Sequence, residues 1–414
     1  MLDLREIRAD PASARAALAR RDVDPALLDE ALELDDRRRA VLPALEELRR
    51  TRNEASKRIG ELQRAGENAS EAIAEVRGVS AREKELDAEL RGIEERRAAA
   101  LAQLPNLPDE TAPGEDEVLR VVGEPGASGR NHVDLLGPYL DLERAAHVSG
   151  SRFAYLMGPL VRLELALVQW TMSLLEERGF LPVIPPVLVR DQALYGTGFL
   201  PDTEQQIYAV PEDELSLVGT SEVPLASLHA GEILGAAELP RRYAGFSTCF
   251  RREAGAAGKD TQGIFRVHQF DKVEMFSFVE PEESRAEHER LLATQEEILG
   301  ALRLPYRVVN IAANDLGGSA AKKYDLEAWL PGQERFRELT STSNTTDFQA
   351  RRLDIRYRAG EGGPPRPVHT LNGTATAVGR TIIAIVENHQ RDDGSIAVPA
   401  VLHPFGAPET IRAP

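Results

Sequence analysis

Along residues 264–278, polar side chains alternate with apolar ones in the pattern of a β-strand, and these polar side chains could bind a charged ligand. Successive side chains of a strand point to opposite faces, so Arg266, Phe270 and Glu274 are predicted to share one face at steps of about 13 Å. An arginine can clamp a phosphate through its forked guanidinium, and a phenylalanine can stack on a nucleobase. A glutamate can accept hydrogen bonds from an ammonium group. The spacing therefore predicts a site for phosphate, base and ammonium along one strand.

A second arginine–glutamate pair stands at the end of the preceding predicted strand, where Arg251 and Glu253 share a face. A ligand with a planar base, a phosphate and an amino group would contact every one of these side chains, and an aminoacyl-adenylate has all three groups. The alternative is a solvated face of cross-strand ion pairs, which is the usual environment of charged strand residues.

The composition limits the classes of protein that could carry such a site. The single cysteine, Cys249, excludes an internal disulfide framework and a multi-cysteine zinc site, and it suits a reducing cytosol. No apolar run approaches the ~20 residues that cross a membrane. Charged residues near the N-terminus exclude a secretory signal, so we expect a cytoplasmic protein with no membrane contact. The formal charge of −17 argues against non-specific nucleic-acid binding but leaves open an RNA recognised by its shape.

The N-terminal part of the chain has the periodicity of two long helices. Apolar residues recur in heptads from Val41 to Leu62, a polar turn follows at 64–70, and a second helical pattern runs over 73–101. The pattern predicts an antiparallel coiled-coil hairpin with limbs of about 50–60 Å. Such an arm could be a dimerisation element or spacer, or its positive residues could contact an RNA backbone. The positive residues favour the first limb, which carries Arg49, Arg50, Arg52, Lys57, Arg58 and Arg64.

The remainder of the chain has the mixed pattern of an α+β domain. Prolines interrupt the helical pattern at 103–117, so we expect a helical domain at 1–104 and a second domain at 105–414. Neighbouring β-runs that do not alternate regularly with helices favour a mostly antiparallel sheet. Strands are predicted at 243–251, 264–279, 305–312, 335–341 and 366–372. Helices are predicted at 158–179, 281–303 and 380–390.

Several segments resemble the signature motifs of class II aminoacyl-tRNA synthetases. FRREAGAAGKDTQGIFRVHQFDKVEMF (250–276) resembles motif 2 in the form typical of seryl-tRNA synthetases, and GTATAVGRTIIAIVENHQ (373–390) resembles motif 3. GFLPVIPPVLV (179–189) resembles motif 1, which builds the dimer interface in this class. GTSEVPLASLH (219–229) resembles the amino-acid-binding T-S-E element, and RELTSTSNTTDFQARR (337–352) resembles the strand that supplies metal and ATP ligands.

The resemblance implies a homodimeric member of the seryl-tRNA synthetase family. Its expected fold is a class II antiparallel sheet flanked by helices, with an N-terminal coiled-coil arm that binds tRNA. Such an enzyme activates L-serine with ATP to seryl-adenylate and transfers serine to tRNA(Ser), and to tRNA(Sec) where that tRNA is present. Mg²⁺ accompanies ATP, and no zinc is expected.

The resemblance also implies roles for individual residues. It assigns catalysis to Arg251, Glu274 and Arg380. It assigns serine binding to Thr220, Ser221, Glu222, Arg251, Glu274, Asn372 and Thr374. It assigns ATP binding to Arg251, Arg252, Glu253, Arg266, Val267, Phe270, Glu338, Leu339, Thr340, Ser341 and Arg380, and Mg²⁺ binding to Glu338 and Ser341. The alternative for Glu338 is a surface ion pair with Arg337.

Other readings stay open at this level: an aminoacyl carrier-protein ligase, a paralogue for specialised metabolism or antibiotic resistance, and a non-catalytic paralogue. The intact arm disfavours the first, and the presence of Arg251, Glu274 and Arg380 disfavours the last. One departure from the family pattern is Gln262, where an arginine is common in the motif 2 loop, and it concerns one loop contact to ATP or to the tRNA acceptor end. His268 is expected to be structural.

Overall fold

The computed structural model describes residues 1–201, 206–254, 260, 263–360 and 363–412. Gln262, the departure in the motif 2 loop, lies outside the described residues. The chain divides into two compact units, one of residues Leu2–Leu104 and one of Pro105–Pro414 together with Met1. In the described part of the chain, no helix is both long enough and apolar enough to span a membrane.

The first unit is helical. It consists of α1 (Leu4–Ala9), α2 (Pro11–Ala19), α3 (Pro25–Ala65) and α4 (Ser70–Gln103). The predicted long helical arm is confirmed by α3 and α4, whose 41 and 34 residues correspond to about 62 and 51 Å of helix. Gly66 ends α3 with a φ of +72° and donates its N–H to the carbonyls of Leu62 and Gln63, as glycine commonly does at a helix C-terminus.

Apolar contacts and ion pairs hold α3 against α4. Leu45, Leu86 and Leu90 form a buried cluster between the two helices. Arg52, which interrupts the heptad seam, donates to both carboxylate oxygens of Glu83 at 2.9 and 2.7 Å. The interruption is therefore compensated across the hairpin, because Glu83 belongs to α4.

The second unit is built around a mainly antiparallel sheet. Its strands are β1 (Glu117–Val122), β2 (Leu181–Val183), β3 (Arg241–Phe250), β4 (Gln269–Val279), β5 (Tyr306–Asn310), β6 (Lys322–Leu330), β7 (Arg335–Asn344) and β8 (His369–Ala377). The order across the sheet is β1-β5-β6-β7-β8-β4-β3-β2. All neighbours are antiparallel except β2, which lies parallel to β3 at the edge.

Helices and short strands surround this sheet. The helices are α5 (His132–Leu136), α6 (Leu142–Ser149), α7 (Pro159–Glu177), α8 (Asp191–Thr197), α9 (Glu222–Ala226), α10 (Ser284–Ala301), α11 (Phe348–Leu353) and α12 (Val378–Asn388). Short strands form small sheets at Leu140–Asp141, Tyr155–Leu156, Leu188–Val189, Tyr208–Val210, Leu215–Leu217, Ile233–Gly235, Arg356–Arg358, Arg366–Pro367, Ile396–Ala397 and Thr410–Ile411. The apolar faces of α7, α10 and α12 pack on the sheet in one core, to which Leu167, Ile298 and Ile383 contribute.

The start of β4 differs from the sequence prediction. The predicted strand begins at residue 264, but the observed strand begins at Gln269. Ile264, Phe265 and Val267 are all buried, which strict alternation does not allow, and the backbone N–H of Ile264 donates to Nε2 of His132 at 3.3 Å. The prediction that Arg266 lies on the same strand face as Phe270 is therefore wrong.

Two strands of the sheet are absent from the prediction. Every residue of β1 is exposed, so this edge strand lacks the alternation that identifies a half-buried strand. In β6, Tyr324, Leu326 and Ala328 do alternate inward. The strand begins with two lysines, Lys322 and Lys323, and this polar start is more typical of a loop.

Candidate active site

A cavity of about 340 Å³ lies on the sheet, between the loop that follows β3, the strands β4, β7 and β8, and the first turns of α9 and α12. It brings together most of the residues predicted to form the site: Thr220, Glu222, Arg251, Glu253, Arg266, Val267, Phe270, Glu274, Glu338, Leu339, Thr340, Ser341, Asn372, Thr374 and Arg380. Two predicted residues are placed differently. Ser221 is fully buried and donates to the carbonyl of Gly245 at 3.4 Å, and Arg252 is exposed.

Arg251 follows β3 directly and is held at both its backbone and its side chain. Its Nε donates to the carbonyl of Gly219 at 3.0 Å, and its guanidinium carbon lies 5.3 Å from the centre of the Phe270 ring. The backbone N–H of Arg251 donates to the carbonyl of His268 at 2.9 Å. Nδ1 of His268 lies 2.9 Å from the carbonyl oxygen of Arg251, so this nitrogen carries the proton. His268 therefore fixes the backbone from which Arg251 reaches the cavity.

Glu253 and Arg266 form an ion pair at the same end of the cavity. The Nη1 of Arg266 donates to Oε2 of Glu253 at 2.7 Å, and its Nε lies 3.6 Å from Asp260. Glu253 has a φ of +50°, a left-handed conformation that turns the chain away from β3. The two residues meet through this turn and not through a shared strand face.

Arg380, in the first turn of α12, closes another side of the cavity. Its Nη1 donates to the backbone carbonyl of Glu338 at 3.0 Å and lies 3.4 Å from the Glu338 carboxylate. Its guanidinium also stacks over the Phe265 ring, 4.6 Å from the ring centre. The partner of Glu338 is thus Arg380, whereas Arg337 pairs with Asp260 at 2.8 Å.

A β-bulge brings the two predicted metal ligands to one face of β7. Residues three apart on a regular strand point to opposite faces, but the register with β6 shifts between Glu338 and Thr340. The extra residue, Leu339, restores a common face for Glu338 and Ser341, and both line the cavity. In the described residues, no cluster of three or more His, Cys, Asp or Glu side chains could hold a metal by itself.

Another end of the cavity is lined by two buried carboxylates, Glu222 and Glu274, and by the buried residues Thr220 and Thr374. It is called here the carboxylate end. Glu222 accepts from Nε2 of Gln349 at 2.7 Å, and Glu274 accepts from the Thr374 hydroxyl at 3.3 Å. Burial raises the pKa of Glu222 to about 7, with a further contribution from the negative charge of Glu274. This end is therefore a compact set of acceptors for an ammonium group.

Two further residues of this region have no role in the sequence prediction. Lys272 lies between Phe270 and Glu274 on β4, and its ammonium contacts Glu274 at 2.5 Å. Gln295, on α10, is fully buried and donates from Nε2 to the carbonyls of Ser341 and Thr374, both at 2.8 Å. The alternation of side chains along the predicted strand already places Lys272 on the same face as Phe270 and Glu274. Gln295 belongs to a helix, and the sequence of that helix does not indicate the contact.

Comparison with protein families agrees with this geometry. Residues 207–389 match the tRNA synthetase class II core domain (G, H, P, S and T), and residues 1–108 match the seryl-tRNA synthetase N-terminal domain. The antiparallel sheet, its cavity and these matches define the chain as a class II aminoacyl-tRNA synthetase.

Similar proteins specify the member of this class. The serine–tRNA ligase of Acidothermus cellulolyticus is 54% identical over 323 residues and that of Thermobifida fusca 55% identical over 315 residues, covering 76% and 74% of both chains, respectively. A crystal structure of seryl-tRNA synthetase from Pyrococcus horikoshii complexed with ATP has a TM-score of 0.94 at 42% identity and covers all of both chains. The chain belongs to the seryl-tRNA synthetase family. The predicted fold class and the prediction of a serine–tRNA ligase are thereby confirmed.

Proposed function

We propose that this cavity binds ATP and L-serine side by side and joins them as seryl-adenylate before serine passes to tRNA(Ser). One observation supports the proposal most directly. Arg251, which stacks over the ring of Phe270, lines the same cavity as the carboxylates of Glu222 and Glu274. The ring of Phe270 offers a stacking surface for adenine, and Glu253 offers an acceptor for its amino group. The backbone of Val267 completes the adenine site.

The chemistry requires positioning and charge stabilisation. The serine carboxylate attacks the α-phosphate of ATP, the new carboxyl–phosphate bond forms, and pyrophosphate leaves. The carboxylate is already a nucleophile, so no side chain has to remove a proton in this step. Arg251 bridges the serine carboxylate and the α-phosphate and stabilises negative charge on the equatorial oxygens, while Arg380 binds the γ-phosphate, with Arg266 nearby. A hydroxyl of the terminal tRNA adenosine then attacks the seryl carbonyl: the ester bond forms, the bond between the carbonyl carbon and the phosphate oxygen breaks, and AMP leaves, while the hydroxyl proton is released to solvent.

Selection of serine rests on the carboxylate end. Glu222 and Glu274 accept hydrogen bonds from the substrate ammonium, and Thr374, with Asn372 beside it on β8, binds the serine hydroxyl. Alanine leaves these buried polar groups unpaired, which is costly, and the extra methyl of threonine is excluded sterically.

A divalent cation fits the face of β7 that carries Glu338 and Ser341. A carboxylate and a hydroxyl are oxygen ligands of the kind that Mg²⁺ prefers, and ATP phosphates and water supply the remaining ligands of this ion. Mg²⁺ neutralises phosphate charge when bound. Glu338 also lies 3.4 Å from Arg380, so a cation held by Glu338 and Ser341 would act together with this guanidinium in neutralising phosphate charge.

The arm presents positive charge to tRNA near its tip. Arg49 and Arg52 are engaged with carboxylates of α4, at 2.8 Å from Asp87 and 2.7 Å from Glu83. The exposed residues Lys57, Arg58 and Arg64, called here the distal cations, form no ion pair within the described part of the chain. They are accordingly the better candidates for contacts with the RNA backbone.

The segment that resembles motif 1 is proposed to form a homodimer interface. Within this segment, Leu181 on β2 and Ile184 beyond it are 60% and 82% exposed, so two large apolar side chains three residues apart are available to a partner. A cytoplasmic location agrees with the single buried thiol, Cys249.

Amino-acid-dependent ATP–pyrophosphate exchange tests the proposal. We expect exchange with serine to exceed that with alanine or threonine by at least two orders of magnitude, on the order of the discrimination that hydroxyl recognition gives. A different amino acid as the best substrate would overturn the assigned specificity. Exchange with serine that is not followed by charging of tRNA(Ser) would overturn the transfer step.

A further inference from the structure

Lys272 is a buried lysine at the carboxylate end of the cavity. Its Nζ lies 2.5 Å from Oε2 of Glu274 and 2.6 Å from Oγ1 of Thr220, and only 6% of the residue is exposed. A buried ammonium is unfavourable unless charged and hydrogen-bonding partners compensate it, and here both kinds are present.

The contact with Lys272 determines what Thr220 can do. Oγ1 of Thr220 accepts from Lys272 and also from the backbone N–H of Glu222 at 3.1 Å. A hydroxyl has two acceptor lone pairs and one hydrogen, so both acceptor positions are occupied. Thr220 lines the cavity, and its remaining hydrogen is therefore available to an acceptor on a bound ligand.

Lys272 also balances charge around the carboxylates. The charged and titratable groups that face it are Glu274 on its own strand, Glu222 from α9, Arg251 after β3, and the thiol of Cys249 on β3. Burial raises the pKa of the Cys249 thiol, so this group is uncharged near neutral pH. Burial raises the pKa of Glu222 to about 7, and the positive charges of Lys272 and Arg251 oppose part of this effect.

We propose that Lys272 is a positioning residue of the serine subsite: it holds the carboxylate of Glu274 in place as an acceptor, sets Thr220 as a donor and supplies a positive charge to the buried carboxylates. The substrate ammonium then lies near two carboxylates, and the charge of one of them, Glu274, is already balanced by Lys272. One net negative charge therefore remains to balance the single positive charge of the ammonium. Arg251 remains free to engage the substrate carboxylate. This inference rests on the proposed serine subsite.

The wild-type enzyme provides the first test, through the KM for serine in pyrophosphate exchange between pH 5.5 and 9. Protonation of Glu222 removes one charged acceptor of the substrate ammonium, so log KM falls by one per pH unit as the pH rises to about 7 and is flat above it. A profile without a bend near pH 7 would contradict the proposal, because the charge of Glu222 would then not affect serine binding.

Substitution provides the second test. Lys272→Gln keeps a hydrogen-bond donor but removes the charge, so Glu222 takes up its proton more readily. We expect the bend of the profile to move up by about one pH unit and the KM for serine at pH 7 therefore to rise about fivefold, with the KM for ATP within about twofold of wild type. Lys272→Arg keeps the charge, and the bend should return to its wild-type position. Lys323→Gln, on another lysine that lines the cavity and pairs with Asp325 at 3.0 Å, should leave the bend unchanged.

The outcomes separate this inference from the proposed function. Failure of the wild-type enzyme to use serine would refute the function itself. An active wild type together with an unshifted bend in Lys272→Gln would refute only the role of Lys272, as would equal changes in the KM for ATP and for serine. If Lys272→Gln does not fold, the Lys272→Arg profile compared with the wild-type profile still decides the question.

Discussion

Replacing Thr374 by valine removes one hydroxyl from the carboxylate end of the cavity while keeping the shape of the side chain. Thr374 is 8% exposed, and its hydroxyl donates to Oε2 of Glu274 at 3.3 Å. Because the hydrogen of this hydroxyl is used, its oxygen is left to accept from the hydroxyl of bound serine. Thr374→Val leaves the substrate hydroxyl without that partner.

The expected cost follows from the burial of the site. A buried polar group that loses its partner is destabilised by about 1–3 kcal/mol, which corresponds to about 5–150-fold in kcat/KM for serine. Alanine has no hydroxyl to lose, so its kcat/KM should change by less than about threefold. The discrimination between serine and alanine should therefore fall by about the full cost of the lost contact.

The assay is pyrophosphate exchange with serine and alanine in parallel. Thr376→Val is a matched control, because Thr376 lies on the same strand but its hydroxyl contacts Thr171 at 3.0 Å in the core. This control should leave the serine-to-alanine ratio unchanged. An equal loss for both amino acids in Thr374→Val would show that the substitution acts on the fold and not on hydroxyl recognition.

Other predictions concern the arm, the metal site and the contact made from α10. Alanine at all three distal cations should raise the KM for tRNA(Ser) about tenfold or more at moderate salt, with pyrophosphate exchange unchanged, because phosphate contacts act on tRNA alone. Glu338→Gln should raise the Mg²⁺ concentration for half-maximal exchange by about tenfold or more, because one charged ligand is lost. Gln295→Met should lower the free energy of unfolding by about 1–3 kcal/mol in denaturant titrations, because two carbonyls lose their donor.

Controls exist for these variants. Arg82→Ala combined with Arg96→Ala removes two arginines of α4 that are paired with Glu85 and Glu30, and it should change tRNA charging less than loss of the distal cations. An unchanged Mg²⁺ requirement in Glu338→Gln would contradict the metal assignment. An unchanged denaturation midpoint in Gln295→Met would contradict the stabilisation assigned to its two hydrogen bonds.

Much of the site was predictable from local sequence because β4 alternates regularly after Gln269. Phe270 and Glu274 share a face there, as the alternation of side chains along a strand predicts. The same alternation does not hold at Arg266, because the strand begins only at Gln269 and the neighbouring residues Ile264 and Phe265 are both buried.

Other features depend on pairing between distant segments and could not be read locally. The bulge at Leu339 is defined by the register of β7 against β6, and only this shift places Glu338 and Ser341 on one face. The positions of Lys272 and Gln295 depend in the same way on Thr220 and on two strand carbonyls far along the chain. Burial decides these contacts, and one sequence does not show which polar residues are buried together.

The role of Arg251 is the central claim, and serine-dependent pyrophosphate exchange by Arg251→Ala tests it most directly. Loss of an electrostatic contact to the reacting phosphate should reduce exchange by about 10²–10³-fold or more. The variant should stay folded, and Arg358→Ala, at an exposed arginine outside the cavity, should retain wild-type exchange. Exchange within a few-fold of wild type in folded Arg251→Ala would contradict the account.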